Sequence, residues 1–202
     1  MLGIVDYNIG NLASVQNAIL KVGESAKIES DPSKLKDYDK IILPGVGAFG
    51  DAMEHLQKSG MQEAILDFVK SGKFLLGICL GMQLLFQKSY EFGEHSGLGL
   101  LEGEIIHFEK AALKKGEKIP HMGWNLVKKV KNSALLEGLE DSFYLYFVHS
   151  YYLGESKNAI GMSHYGIDFV SIVQKENIFG IQPHPEKSHN VGLKILKNFV
   201  KL

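Results

Sequence analysis

Cysteine occurs once in the 202 residues, at position 79, so no internal disulfide can form and no cysteine-rich zinc site can assemble. A lone thiol suits a reducing compartment, and a cytoplasmic location is expected. Charge of one sign is also lacking. Lys plus Arg number 22 against 23 Asp plus Glu, a formal net charge of −1, which gives no electrostatic case for binding nucleic acid or an anionic membrane. The short basic run Lys128, Lys129 and Lys131 reads as a solvated face. No apolar run approaches a membrane span, and no basic segment of the signal-peptide kind precedes the first strand pattern. Repeats, low-complexity tracts and Pro/Gly/Ser-rich linkers are missing as well. Residues 1–202 are therefore expected to form a single domain.

The first half alternates between two periodicities. Leu2 to Asp6, Lys40 to Leu43 and Phe74 to Ile78 are short apolar runs of the buried-strand kind. Between them Leu12, Val15, Ala18, Ile19 and Val22 recur at helical spacing, with Gly23 as the stop, and further helices are expected over Asp51–Lys58 and Met61–Ser71. From about Leu98 to Ile181 strands dominate: Glu104–Phe108, Phe143–Val148, Val170–Gln174 and Ile178–Gln182. A last helix is expected near His189–Lys201. This pattern predicts an α/β fold: a mixed, mainly parallel central sheet with helices on both faces and antiparallel strand additions in the second half.

Two segments carry chemistry. Gly77-Ile78-Cys79-Leu80-Gly81 stands where a strand hands over to a helix, the pattern of a nucleophile elbow with sulfur in place of oxygen. The turn is so tight that side chains two before and two after the nucleophile would collide. The helix that follows is expected to aim its positive end at the sulfur and favour thiolate. The Leu80 N–H is available to an oxyanion. By itself G-x-C-x-G is equally compatible with a buried structural cysteine. The second segment is Gln182-Pro183-His184-Pro185-Glu186-Lys187-Ser188. In extended chain, residues i and i+2 share a face, so Glu186 can orient the His184 imidazole and His184 can take a thiol proton. A surface histidine in a proline-rich turn is the plain alternative.

Taken together, G-I-C-L-G-M-Q-L-L-F and H-P-E-K-S resemble the class I (triad) glutamine amidotransferases. Asp6-Tyr7-Asn8-Ile9-Gly10-Asn11-Leu12, Pro44-Gly45-Val46-Gly47-Ala48-Phe49 and Pro120-His121-Met122-Gly123-Trp124-Asn125 narrow the resemblance to glutaminase subunits of imidazole glycerol phosphate synthase. The resemblance runs from the first strand to the last helix. It implies a flavodoxin-like fold and glutamine hydrolysis by Cys79, His184 and Glu186 through a glutamyl thioester. Ammonia would pass to a cyclase subunit in a heterodimer, which makes imidazole glycerol phosphate and an aminoimidazole carboxamide ribonucleotide for histidine and purine synthesis. It implies N–H donors at Val46, Gly47 and Leu80 for the oxyanion. Gly45, Gln83, Ser150 and Tyr151 would hold glutamine, and Asn11, Trp124, Tyr146 and Lys187 would face the cyclase. No metal or organic cofactor is implied.

Two positions depart from the family pattern. Pro183 stands where an aromatic is usual before the histidine, which predicts one missing strand hydrogen bond and a lost apolar contact. Asn8 stands where glycine is common and must tolerate positive φ. Rival readings are a paralogous glutaminase feeding another acceptor such as a nucleotide sugar or glycan precursor, a stand-alone hydrolase of the same fold, and a catalytically silent binding module. The last needs a triad member missing, and none is.

Overall fold

The computed structural model describes residues 1–109, 113–114 and 117–202. Its first half is built of strand–helix units: β1 (Leu2–Val5), α1 (Leu12–Lys21), β2 (Ala26–Glu29), β3 (Lys40–Gly45), α2 (Phe49–Lys58), α3 (Met61–Lys70), β4 (Phe74–Cys79) and the single turn α4 (Leu80–Gln83). The second half runs through β5 (Lys88–Ser89), β6 (His95–Ser96), β7 (Glu104–His107), β8 (His121–Lys129), β9 (Ser142–His149), β10 (Tyr151–Leu153), β11 (Ala159–Tyr165), β12 (Ile167–Lys175) and β13 (Ile178–Ile181) before α5 (His189–Lys201). β8, β10 and β11 were not predicted: β8 has an exposed side and a glycine, and β10 is only three residues long. β2 also escaped prediction, because A-K-I-E is only half buried.

The strand order is β2-β1-β3-β4-β13-β12-β10-β7-β5-β6. From β2 to β13 every neighbour is parallel, and β12 and β10 add on antiparallel. β11 also pairs with β12, leading through β8 to β9.

Alternate residues of the central strands serve two cores, as a sheet covered on both faces requires. Ile41, Leu43 and Leu75 pack with Phe49, Leu56, Ile65 and Phe68 of α2 and α3. Ile42, Leu76 and Ile78 pack on the other face with Val15 and Ile19 of α1, Ile195 and Phe199 of α5, and Leu145 and Phe147 of β9. Apolar spacing in α1, α3 and α5 thus follows from which face each helix must cover.

This order places β4 between β3 and β13. Register sets Gly45 beside Cys79 and Ile181 beside Ile78. The chain segments leaving the carboxyl ends of all three strands therefore converge, where open α/β sheets hold ligands.

Candidate active site

Cys79 ends β4 at φ 55°, ψ −114°, a backbone conformation that non-glycine residues rarely adopt. Such a residue costs about 1–3 kcal/mol and persists only where its surroundings enforce it. The flanking glycines show how. A Cβ on Gly77 would lie 2.5 Å from the Gly81 carbonyl oxygen, and one on Gly81 would lie 1.8 Å from the Leu43 carbonyl oxygen of β3. The expected collision is real, but Gly81 is demanded by the neighbouring strand rather than by residue 77. The helix beyond is a single turn. α4 has four residues, so its dipole contributes little to thiolate. One side chain and one main-chain carbonyl approach the sulfur. Gln182 Nε2 lies 3.8 Å from Sγ, and the Val148 carbonyl lies 3.9 Å from it.

His184 and Glu186 meet as predicted but by another geometry. Pro185–Lys187 is a 3-10 turn, not extended chain, and it folds the carboxylate back so that Oε1 lies 2.8 Å from His184 Nδ1. Both side chains are buried, 3% and 1% exposed. Burial pulls the imidazole down, but hydrogen bonding to Cys79 and Glu186 and their negative charges outweigh it and lift His184 to about 10. Pro183 does not break a ladder. β13 ends at Ile181, Gln182 N–H donates to Ser171 O at 2.8 Å, and His184 N–H donates to Tyr146 O at 2.8 Å. The proline falls between two paired positions and is itself buried, so the expected missing bond is not observed. Asn8 has φ 68°, the strain that asparagine tolerates best among side-chain-bearing residues.

Cys79 and His184 open onto a cavity of about 380 Å³ whose wall includes Val46, Gly47, Leu80, Gln83, Ser150, Tyr151 and Lys187. Gly47 has φ 94° and nothing within 4 Å of an added Cβ, so its conformation and not its space calls for glycine. Gly45 is set back from the cavity wall. A Cβ there would meet the Tyr7 hydroxyl at 2.8 Å and Gly81 N at 3.0 Å. Tyr7 donates to Pro44 O at 2.9 Å; burial first, and Cys79 second, push its phenol up, so it stays a neutral donor. Gln83 is buried, and its Nε2 donates to Tyr151 O at 3.1 Å and Gln182 Oε1 at 2.9 Å.

Sequence reasoning gave no role to four residues at this site. Gln182 and His121 each stand in a quoted motif, and His149 immediately precedes Ser150. Glu91 had no sequence signal at all. Its carboxylate lines the cavity, accepts the Phe49 N–H at 2.7 Å, and is held above the ordinary carboxylate range by burial. His121 and His149 face each other across β8–β9 with Nδ1 of the first 2.8 Å from Nε2 of the second. Burial holds them down to about 4 and about 3, respectively.

These depressed values have a consequence for stability. An unfolded histidine takes a proton near pH 6.5, whereas this folded pair refuses it until far lower. Below pH 6.5 the unfolded chain binds more protons, so stability falls as pH falls. His184 has the opposite sign: its contribution is complete below 6.5 and is lost as pH rises toward 10. Urea unfolding is expected to show roughly 2–4 kcal/mol less stability at pH 5 than near pH 7, before most carboxylates titrate. A flat profile over that window contradicts a buried neutral pair.

Of the residues expected to face a partner, Trp124 and Lys187 are exposed and Asn11 and Tyr146 half-buried. Trp124 is opposite Tyr146 across β8–β9 and stacks on His189, ring centroids 5.0 Å apart. Tyr146 is tied to the His184–Ser188 segment at both ends, its N–H donating to Ser188 Oγ at 2.9 Å and its carbonyl accepting from His184. Asn11 begins α1, which packs against the Pro185–Lys187 turn. Among the described residues no three His, Cys, Asp or Glu side chains group to hold a metal ion, and no helix is long and apolar enough to cross a membrane.

Similarity to known proteins follows the same lines. The family model for class-I glutamine amidotransferase matches residues 4–202. The imidazole glycerol phosphate synthase subunit HisH of Wolinella succinogenes is 64% identical over the full length of both chains. HisH of Sulfurimonas denitrificans is 59% identical, covering 100% of this chain and 98% of that one, and HisH of Bacillus subtilis 48%, covering 100% and 96%. Among solved structures, one described as a glutamine amidotransferase superposes with a TM-score of 0.76 at 18% identity over 99% of this chain and 97% of that one, and PurLQS from Thermotoga maritima with 0.74 at 21% over 99% and 97%. At those identities the likeness is one of fold, which is α/β with a mainly parallel sheet, as the sequence predicts. A full-length family match and identities of this size leave one assignment: the chain belongs to the class-I glutamine amidotransferases.

Proposed function

We propose that this chain is the glutaminase subunit of an imidazole glycerol phosphate synthase, acting in the cytoplasm as one amidotransferase domain over residues 1–202. The observation that carries the glutaminase reading is the buried His184–Glu186 pair beside an elbow cysteine on the cavity wall. The full-length identity to HisH subunits supports the histidine-pathway acceptor over a nucleotide sugar or glycan precursor.

Each residue has a step. His184 holds the proton of the Cys79 thiol, with Glu186 fixing the imidazole and balancing its charge. The thiolate attacks the side-chain amide carbon of glutamine, and the oxyanion is met by N–H groups of Leu80 and of the Val46–Gly47 loop. His184 gives its proton to the amide nitrogen, the C–N bond breaks, and ammonia leaves a glutamyl thioester. Water then loses a proton to His184 and adds to the thioester, releasing glutamate and the thiol. Gln83, Ser150 and Tyr151 hold the amino-acid end, and the Glu91 carboxylate supplies the negative charge an α-ammonium needs.

Ammonia passes to a cyclase subunit across a face that includes Asn11, Trp124, Tyr146 and Lys187. On that face Met122, Trp124 and Tyr144 are 62%, 46% and 58% exposed. Alternate β8 residues share one side of the strand, so this is a contiguous apolar patch of the sort a partner covers.

The test is glutamate release from glutamine with the same organism's cyclase present, with and without the ribonucleotide substrate. Strong stimulation by the ribonucleotide is expected. Release indifferent to it overturns the histidine-pathway acceptor while leaving the glutaminase intact.

A further inference from the structure

Two buried histidines take no part in the reaction above: His149 lines the glutamine pocket, and His121 opens β8, the strand that also bears Trp124. β9 ends at His149 and β10 begins at Tyr151, so Ser150 is the corner where the chain leaves β8–β9 and enters the main sheet beside β7 and β12. That corner walls the cavity. The Tyr151 carbonyl just beyond it accepts from Gln83 Nε2 at 3.1 Å and lies 2.8 Å from His149 Nδ1.

The proton positions follow from the acceptors. A carbonyl cannot donate, so His149 Nδ1 carries hydrogen and, in a neutral ring, Nε2 must accept. Its neighbour 2.8 Å away, His121 Nδ1, is then the donor, and His121 Nε2 must accept in turn. The group offered is Asn125 Nδ2 at 3.2 Å. Asn125 cannot be turned around: its Nδ2 also donates to the His164 carbonyl at 2.9 Å, and its Oδ1 accepts the Leu126 N–H at 2.7 Å. Carbonyls at both ends thus fix one direction for the whole chain of bonds. The rings are packed too tightly to seek other partners. His121 stacks on Tyr165 with centroids 4.0 Å apart, and Phe108, Phe147 and Phe169 surround both.

We propose that His121 and His149 are positioning residues for glutamine: the directed chain Asn125–His121–His149 holds the Tyr151 carbonyl, and with it the Ser150 corner, in the binding arrangement. This rests on the glutaminase reading, in which that corner holds the amino-acid end of the substrate. Either histidine protonated, or His121 in the other tautomer, sets two donors against each other and releases the corner.

The experiment compares wild type, His121→Phe and His121→Asn as complexes with the cyclase. Phenylalanine keeps the ring and removes the donor; asparagine keeps a donor near the Nδ1 position. Loss of this bond is expected to raise KM for glutamine about tenfold in His121→Phe with kcat nearly unchanged, the signature of lost ground-state binding. His121→Asn is expected to restore KM to within about threefold of wild type. An unchanged KM in His121→Phe, or equal defects in both variants, overturns the proposal. If a variant does not fold, nitrogen NMR of histidine-labelled wild type decides. Hydrogen on Nδ1 of both rings is expected, and hydrogen on Nε2 of either overturns it. A wild-type complex releasing no glutamate defeats the glutaminase reading itself, which the tautomer measurement leaves untouched.

Discussion

Cys79→Ala is expected to cut glutamate release by the complex by at least about 10³-fold, because a triad acts as a unit and no other side chain here can form the thioester. Cys79 is the only cysteine, so no second thiol can substitute. The change removes a sulfur from a residue 7% exposed and adds no bulk, so folding and cyclase binding are expected to persist. The informative part is the rescue. Ammonium salt supplied to the Cys79→Ala complex should restore cyclase turnover, since only the ammonia source is broken. Glutamate release near the wild-type rate removes Cys79 from the mechanism, and failure of ammonium to rescue argues against separable ammonia production and transfer.

The second large effect is structural. In Gly81→Ala the new methyl would sit 1.8 Å from the Leu43 carbonyl oxygen and 2.8 Å from its carbon, both backbone atoms of the neighbouring strand. A flexible side chain could yield; a central parallel strand cannot without breaking its register with β4. Overpacking usually costs about 1–3 kcal/mol, and this case belongs at or above the top of that range. The same shift would move Gly45 away from Cys79, so activity is expected to fall with stability. Gly154→Ala is the control, since an added Cβ there meets nothing closer than 3.9 Å. Urea unfolding of the two variants measures the difference. If Gly81→Ala lies within about 1 kcal/mol of Gly154→Ala, the elbow is not packed against β3 as described.

Much of the fold was legible because buried parallel strands and the helices covering them carry strong periodic signals. The run at Phe74 to Ile78 and the 3.6-residue spacing over His189–Lys201 are examples. β2, β8 and β10 were not legible. Their residues are half-exposed or few, and their pairing is set by strands far away in sequence. At the site, the elbow was readable because Cys79 between two glycines is a local demand. The His184–Glu186 contact was readable in outcome but not in form. A 3-10 turn brings the carboxylate back, where spacing alone suggested an extended strand. The macrodipole expected to favour thiolate has only a four-residue helix behind it.

What the sequence by itself determined is therefore chemical and local: one thiol, a tight turn around it, a histidine with its carboxylate two residues on, and a loop with glycines at 45 and 47. Tertiary structure alone decided which of these meet. β4 lies between β3 and β13 only because of the crossover order of the sheet, and that order puts Gly45 beside Cys79 and the His184 segment on the other side. The same holds for Gln182 against the sulfur, 103 residues away in sequence, and for His121 against His149, 28 residues apart. Such contacts arise from long-range burial and strand pairing, which a local pattern cannot encode because every residue's partner is chosen by the whole chain's packing.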